Sequence, residues 1–260
     1  TFLLGGGLVE MVLAFIAAGI GNLVRTKLIK HHYTLFLNIS MSISAACLAY
    51  ALCLKLAEVL FHLPAFHEAG YICSILFIIP GFPFITSGID LAKLDLRSGL
   101  ERLTYAIIII LVATMFAWIM ALLLDLQPLT FTSMSLNPIL LLCLRIIASF
   151  CGVFGFSIMF NSTIPMAAIA ALIGAVANTF RLELIDFTGM PPAAAAFIGA
   201  LSAGLLASEI KKNNGYPRIS LTVPSIVIMV PGLYLYRAIY NFGIMSLTEA
   251  VSWFTSAIMI

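Results

Sequence analysis

The chain has 260 residues, of which 62% are hydrophobic and only 9% are charged, and its formal net charge is +2. Soluble proteins carry about 25% charged residues, so this composition excludes a soluble domain and predicts an all-α, polytopic membrane protein. So small a net charge gives no sign of a nucleic-acid partner, and the distribution of lysine and arginine along the chain carries the information instead.

Nine apolar segments follow one another along the chain, and crossing a bilayer takes about 20 such residues. They lie at 2–24, 35–60, 69–88, 103–124, 138–160, 165–184, 191–210, 221–240 and 247–260, the ninth falling short of a full span. The third is interrupted by Pro80 and Gly81, and the eighth by Pro231 and Gly232, with Pro224 two turns earlier. Because proline lacks an N–H group and glycine disfavours helix, each interruption predicts a helix broken near the membrane midplane.

Basic residues fall in alternate joints between these segments. They cluster at 25–30, 93–102 and 211–218, whereas the joints at 61–68 and 125–137 contain neither lysine nor arginine. By the positive-inside rule the basic joints face the cytoplasm, which places Thr1 on the outer side.

Three features recur in the same order in the two halves of the chain. Residues 16–21 (IAAGIG) resemble residues 169–174 (IAALIG), which follow them by 153 positions, and residues 44–49 resemble residues 202–207. The two breaks are 151 residues apart. The pattern predicts two repeats, 1–125 and 126–260, each built on five helices with the opening helix of the first missing. A repeat with an odd number of spans reverses its orientation in the membrane each time it recurs, so we expect two inverted halves. We also expect further chain upstream of Thr1.

The two breaks are the predicted substrate site. A half-helix that starts after Pro80-Gly81 or Pro231-Gly232 has free amide N–H groups and the positive end of the helix dipole, which together favour a carboxylate. The alternative is that the prolines only kink packed helices. Further candidate substrate contacts are Thr86, Ser87, Tyr234, Arg237, Asn38 and Asn161.

Glu10 is the predicted proton-coupling residue, because it lies eight residues inside the first segment and a carboxylate inside a membrane is costly. Arg145 is its expected electrostatic partner. The alternatives for Glu10 are a structural salt bridge and a position closer to the membrane interface. Asp90, next to Lys93, is a candidate cytoplasmic gate or a solvated helix end.

Other functions find no support in the sequence. It contains no GxSxG, Walker or HExxH motif, and its cysteines and histidines lack metal-site spacing, so we expect no enzyme activity, metal or cofactor. Small residues recur every fourth position at Ala196, Ala200, Gly204 and Ser208, which indicates close helix packing within the chain or in a homo-oligomer.

Four stretches point to a known family. They are 79–90 (IPGFPFITSGID), 96–103 (LRSGLERL), 155–161 (GFSIMFN) and 221–238 (LTVPSIVIMVPGLYLYRA). Together they resemble the threonine/serine exporter family over essentially the whole chain. The resemblance implies proton-driven export of threonine and serine, small-molecule substrates, across the lipids of the bacterial cytoplasmic membrane. A dicarboxylate exporter, a channel and a non-transporting scaffold are the alternatives.

Overall fold

The computed structural model describes residues 1–61, 70–126, 136–230 and 232–259, and these ranges contain helices and no strand. The predicted all-α fold is therefore confirmed for the described chain. The α-helices are α1 (Leu8–Lys30), α2 (Leu35–Phe61), α3 (Gly70–Ile75), α4 (Gly81–Ala92), α5 (Leu96–Leu123), α6 (Pro138–Met159), α7 (Ile164–Thr188), α8 (Pro192–Asn214), α9 (Arg218–Val227), α10 (Gly232–Gly243) and α11 (Leu247–Met259).

The helices make this a multi-pass membrane protein. Six of them (α1, α2, α5, α6, α7 and α8) are long and apolar enough to cross a bilayer, and the pairs α3/α4 and α9/α10 raise the number to eight if each is one broken span. The ninth predicted segment forms α11, which has 13 residues and is too short to span. The nine-span prediction is therefore not confirmed.

Both predicted breaks lie where the helices are interrupted. Break one separates a 3₁₀ turn at Leu76–Ile78 from α4, and break two separates α9 from α10. Pro231 lies outside the described residues. Pro224 lies inside α9. Membrane helices tolerate such a proline where neighbouring groups satisfy the backbone that it leaves unpaired.

The first helix is displaced from its predicted position. A 3₁₀ turn at Phe2–Leu4 ends at Gly5, which has φ +96°, and α1 begins only at Leu8 and continues to Lys30. Consecutive glycines at 5–7 resist helix formation, whereas arginine and lysine are good helix formers. As a result Glu10 lies in the first turn of α1, and Arg25 lies within the helix rather than in the joint after it.

The chain packs as two compact units. Unit 1 comprises Thr1–Pro80, Thr104–Ser135 and Gly232–Phe254. It contains α1, α2, α3, most of α5, and α10, and its core includes the fully buried side chains of Tyr50 and Ile72. Unit 1 thus holds the first half of break one and the second half of break two.

Unit 2 comprises Gly81–Leu103, Leu136–Pro231 and Thr255–Ile260. It contains α4, α6, α7, α8 and α9, and its larger core cluster is centred on Ile173 and Leu221. Asn137 caps the start of α6, because its side chain accepts a hydrogen bond from the amide of Ile139 at 3.0 Å. This unit holds the second half of break one and the first half of break two.

Candidate functional site

In unit 1 a guanidinium group lies at the open end of break one. Nη1 of Arg25 in α1 donates a hydrogen bond to the carbonyl of Phe77 at 3.2 Å. Pro80, three residues after Phe77, has no N–H group to offer that carbonyl. A cation at the C-terminal end of a helix is favourable, so Arg25 both caps the broken helix and brings positive charge to the break.

The second half of break two packs against the same end, also within unit 1. A Cβ atom built on Gly232, the first residue of α10, would lie 2.5 Å from Cδ1 of Ile79. One turn further on, the hydroxyl of Tyr236 forms a hydrogen bond with the hydroxyl of Tyr71 on α3. Both tyrosines are fully buried. A larger residue at 232 would require the side chain of Ile79 to move.

Unit 2 contains the reciprocal arrangement. A Cβ atom built on Gly81, the first residue of α4, would lie 2.6 Å from Cγ2 of Val227 and 3.4 Å from Cγ2 of Val230. Thr86 and Ser87 follow on α4 and are buried; they donate hydrogen bonds to the carbonyls of their own helix at 3.0 and 2.8 Å. Their hydroxyl oxygens can still accept a hydrogen bond.

A buried amide lies in the middle of α7 in unit 2. Nδ2 of Asn178 donates a hydrogen bond to Oγ of Ser149 on α6 at 2.9 Å, and both side chains are at most 1% exposed. Sequence reasoning missed this pair, as it missed Arg25 and Tyr71 as site residues. The available signal was that Asn178 is the one carboxamide in the apolar sequence of α7.

Glu10 lies in unit 1 and is 5% exposed. A Cβ atom built on Gly70 would lie 3.0 Å from Cβ of Glu10 and in contact with the hydroxyl of Tyr50, so these three residues are neighbours. In the first turn of α1 a carboxylate also interacts favourably with the helix dipole. The position is nearer a helix end than the sequence indicated.

The other two candidate coupling residues form ion pairs within unit 2. Arg145 binds Glu183 at 2.8 Å and Asp186 at 2.6 Å, both on α7. Asp90 pairs with Arg102 at 2.9 Å. The pairing of Arg145 with Glu10 stays a prediction.

The remaining candidates are distributed over several elements. In unit 1, Tyr234 and Arg237 both contact Trp253 of α11; the Tyr234 and Trp253 ring centroids are 5.5 Å apart, and Cζ of Arg237 lies 4.7 Å from the indole centroid. Asn38 is buried on α2 and its Oδ1 lies 3.2 Å from Oγ of Ser42. Asn161 is exposed in the turn after α6, with φ +60°.

Two protein-family models match most of the chain. A family model described as "Putative threonine/serine exporter" matches residues 1–124, and one described as "Threonine/Serine exporter, ThrE" matches residues 145–260. No curated protein and no solved structure matches the chain. The first match includes break one and the second includes break two. The chain therefore belongs to the threonine/serine exporter family.

Proposed function

We propose that this protein is a secondary active exporter that carries small polar amino acids, threonine and serine, out across the cytoplasmic membrane. The family supports an amino acid as the substrate. Broken helices in a multi-pass fold support transport, because unpaired backbone at membrane depth is tolerated where it is buried in protein or lines a watery cavity. The proton motive force supplies the energy.

The substrate carboxylate binds at a break, where a half-helix starts with free amide groups. The observation that carries this proposal is that each unit contains such a start, at Gly81 or at Gly232, packed against the end of the other break. Arg25 adds a cation to the site in unit 1. Pro80 precedes the start at Gly81, Pro231 is its counterpart in the sequence, and the side chains for the polar part of the solute are Thr86, Ser87, Tyr234, Arg237, Asn38 and Asn161.

Glu10 couples transport to the proton gradient. Its burial in an apolar unit supports this role, since an ionisable residue inside a membrane-spanning segment is costly and is typically retained for function. Its neighbours Tyr50 and Gly70 belong to the unit that contains Arg25 and Tyr71. Arg145 and Asp90, the other two residues that the sequence predicts for coupling, form ion pairs within unit 2, so Glu10 is the first choice.

Two inverted repeats, 1–125 and 126–260, are part of the proposal. The contacts at the breaks support them, because Ile79 meets Gly232 in unit 1 while Val230 lies near the Cβ position of Gly81 in unit 2. Val230 and Gly232 each lie 151 residues after their counterparts Ile79 and Gly81. A reciprocal pair of contacts with one constant offset is what repeated units produce.

The purified protein in proteoliposomes tests the function by counterflow. Vesicles loaded with unlabelled threonine should accumulate labelled threonine, and vesicles loaded with succinate should not. Accumulation of labelled succinate by vesicles loaded with succinate, without accumulation of threonine, would identify a dicarboxylate exporter. Failure with both solutes would identify a scaffold, and flux that neither saturates nor shows counterflow would identify a channel.

Glu10 is tested separately, because exchange of one solute for another moves no net protons. Glu10→Gln should retain threonine counterflow and lose accumulation driven by a pH gradient. Glu249→Gln is the matched control, since Glu249 also lies in the first turn of its helix but is exposed. Gradient-driven accumulation by Glu10→Gln at the rate of the unmodified protein would exclude Glu10 from coupling.

A further inference from the structure

Asn178 lies at the centre of a spanning helix. α7 runs from Ile164 to Thr188, so Asn178 is two positions from its middle residue, about 3 Å along the axis at 1.5 Å per residue. The side chain is 1% exposed. A carboxamide at this depth is withheld from water, and its hydrogen-bonding groups must find partners in the protein or in a bound solute.

Only one end of the amide has a partner in the described chain. Nδ2 donates to Ser149, whereas no group in the described ranges bonds to the buried Oδ1. The buried Asn38 differs, because its Oδ1 lies within reach of the Ser42 hydroxyl. The next residue, Thr179, also has a buried oxygen without a partner in those ranges, whereas Ser157 and Ser225 bond to carbonyls of their own helices.

The face of α7 that carries Asn178 meets α6 and the end of α9. One turn earlier, a Cβ atom built on Gly174 would lie 2.6 Å from Val153 of α6 and 3.0 Å from the carbonyl of Ser225. A Cβ atom built on Gly199 would lie 3.3 Å from both the carbonyl of Ala177 and Sδ of Met229. The end of α9 at break two is therefore level with Ala177 and Asn178, inside unit 2.

The same unit contains the start of α4. Gly81 packs against Val227 and Val230 at the end of α9, and α9 itself packs on α7, where the carbonyl of Ser225 lies 3.0 Å from the Cβ position of Gly174. Free N–H groups favour an anionic group of a solute, whereas a carboxamide oxygen takes a hydrogen-bond donor. A small amino acid offers both kinds of group.

We propose that Oδ1 of Asn178 accepts a hydrogen bond from the transported solute, from the side-chain hydroxyl or from the ammonium group of a small amino acid. Ser149 is a positioning residue, since its oxygen holds Nδ2 and so turns Oδ1 toward the solute. The inference rests on the proposed transport function, and it adds a residue that selects the substrate.

The test compares three solutes as competitors of labelled threonine counterflow in proteoliposomes. L-threonine has every group, L-2-aminobutyrate lacks the hydroxyl, and 3-hydroxybutyrate lacks the ammonium group. Asn178→Leu should bind threonine about tenfold or more weakly, because a donor left unpaired in a buried site costs most of its desolvation. Asn178→Asp keeps an acceptor in place and should restore most of the affinity. Ser149→Ala should reduce the discrimination between threonine and 2-aminobutyrate by a smaller factor.

Ser157→Ala is the matched control on α6, because the Ser157 hydroxyl bonds to the carbonyl of Val153 in its own helix. If Asn178→Leu weakens the binding of threonine and leaves that of 2-aminobutyrate unchanged, the donor is the hydroxyl. If it weakens the binding of both and leaves that of 3-hydroxybutyrate unchanged, the donor is the ammonium group. Unchanged threonine affinity in Asn178→Leu would overturn the proposal. Equal losses of threonine affinity in Asn178→Leu and Asn178→Asp would also overturn it, provided that both variants unfold at the same temperature as the unmodified protein. Absence of counterflow in the unmodified protein would instead overturn the proposed function.

Discussion

The two units use one backbone device with different polar chemistry. In each, a half-helix starts at a glycine and packs against an aliphatic side chain from the end of the other break, Gly232 on Ile79 in unit 1 and Gly81 on Val227 in unit 2. Unit 1 has the guanidinium of Arg25 at its broken end, whereas the buried polar group of unit 2 is the carboxamide of Asn178, which binds Ser149 of α6.

Arg25 and Asn178 are 153 residues apart, the spacing of the first pair of similar fragments. Glycine is the first residue of the half-helix at both breaks, whereas the aliphatic side chain that it packs against differs. Close approach of the backbone is therefore the requirement that both breaks share. The polar residue is where the units differ in what they can bind. A guanidinium favours an anion and a carboxamide oxygen favours a donor.

Adding one methyl group at a break should have the largest effect. Gly81→Ala places a Cβ atom against Val227, and overpacking of this kind costs about 1–3 kcal/mol. We expect threonine counterflow to fall at least about tenfold for this clash, and Gly232→Ala to act in the same way in unit 1.

Gly88→Ala is the control for Gly81, because Gly88 is on the same helix and has nothing within 4 Å of its Cβ position. Val227→Ala should partly rescue Gly81→Ala by removing the atom that clashes. Equal transport by Gly81→Ala and Gly88→Ala would mean that transport does not need the close approach in unit 2. The glycine start would then not be a functional feature that the two units share.

Removing the guanidinium tests the chemical difference between the units. Arg25→Gln should weaken threonine binding by about tenfold if the substrate carboxylate contacts the guanidinium, because a charge-assisted hydrogen bond contributes about 1.5–3 kcal/mol. Threonine amide, which lacks the carboxylate, should be unaffected. Competition with labelled threonine measures both.

Arg97→Gln is the control, because that side chain is 91% exposed. Equal weakening of threonine and of its amide in Arg25→Gln would show that Arg25 acts on the carbonyl of Phe77 alone. Unit 1 would then offer the solute no charge that unit 2 lacks.

Local chemistry made the fold and the breaks predictable. Proline followed by glycine inside an apolar run removes a donor and weakens the helix whatever surrounds it, and both breaks could be located without any knowledge of packing. The edges of α1 could not be placed in this way. Hydropathy favoured a helix from Phe2 to Val24, but three successive glycines moved its start to Leu8, and lysine and arginine carried it on to Lys30.

The side-chain partners within each unit were not predictable. Tyr71 and Tyr236 are 165 residues apart, and Arg145 finds Glu183 and Asp186 on α7. An apolar run reveals the length of a helix, but its rotation about its own axis is set by packing, and that rotation decides which polar residues meet. Thr86 and Ser87 could be proposed as site residues because they follow a break in the sequence, whereas Arg25 reaches break one from another helix.

The tyrosine pair is a feature of unit 1 whose loss should change stability more than transport. Tyr71→Phe or Tyr236→Phe leaves one buried hydroxyl unpaired, at a cost of about 1–3 kcal/mol, whereas the double variant removes both partners and should cost less than the sum. Thermal unfolding in detergent measures this as shifts in Tm. Tyr33→Phe, on an exposed side chain, is the control. Additive shifts would mean that the two hydroxyls do not stabilise each other.

The smallest effect is expected from the ion pairs of unit 2. The side chain of Arg145 is 14% exposed, that of Glu183 is 20% and that of Asp186 is 48%, so solvent screens part of the interaction and Arg145→Met should cost about 1–2 kcal/mol. We expect a lower Tm with an unchanged ratio of gradient-driven accumulation to counterflow, because the two carboxylates of α7 already engage this cation. A fall in that ratio, as predicted for Glu10→Gln, would instead assign Arg145 to coupling and extend proton handling to both units.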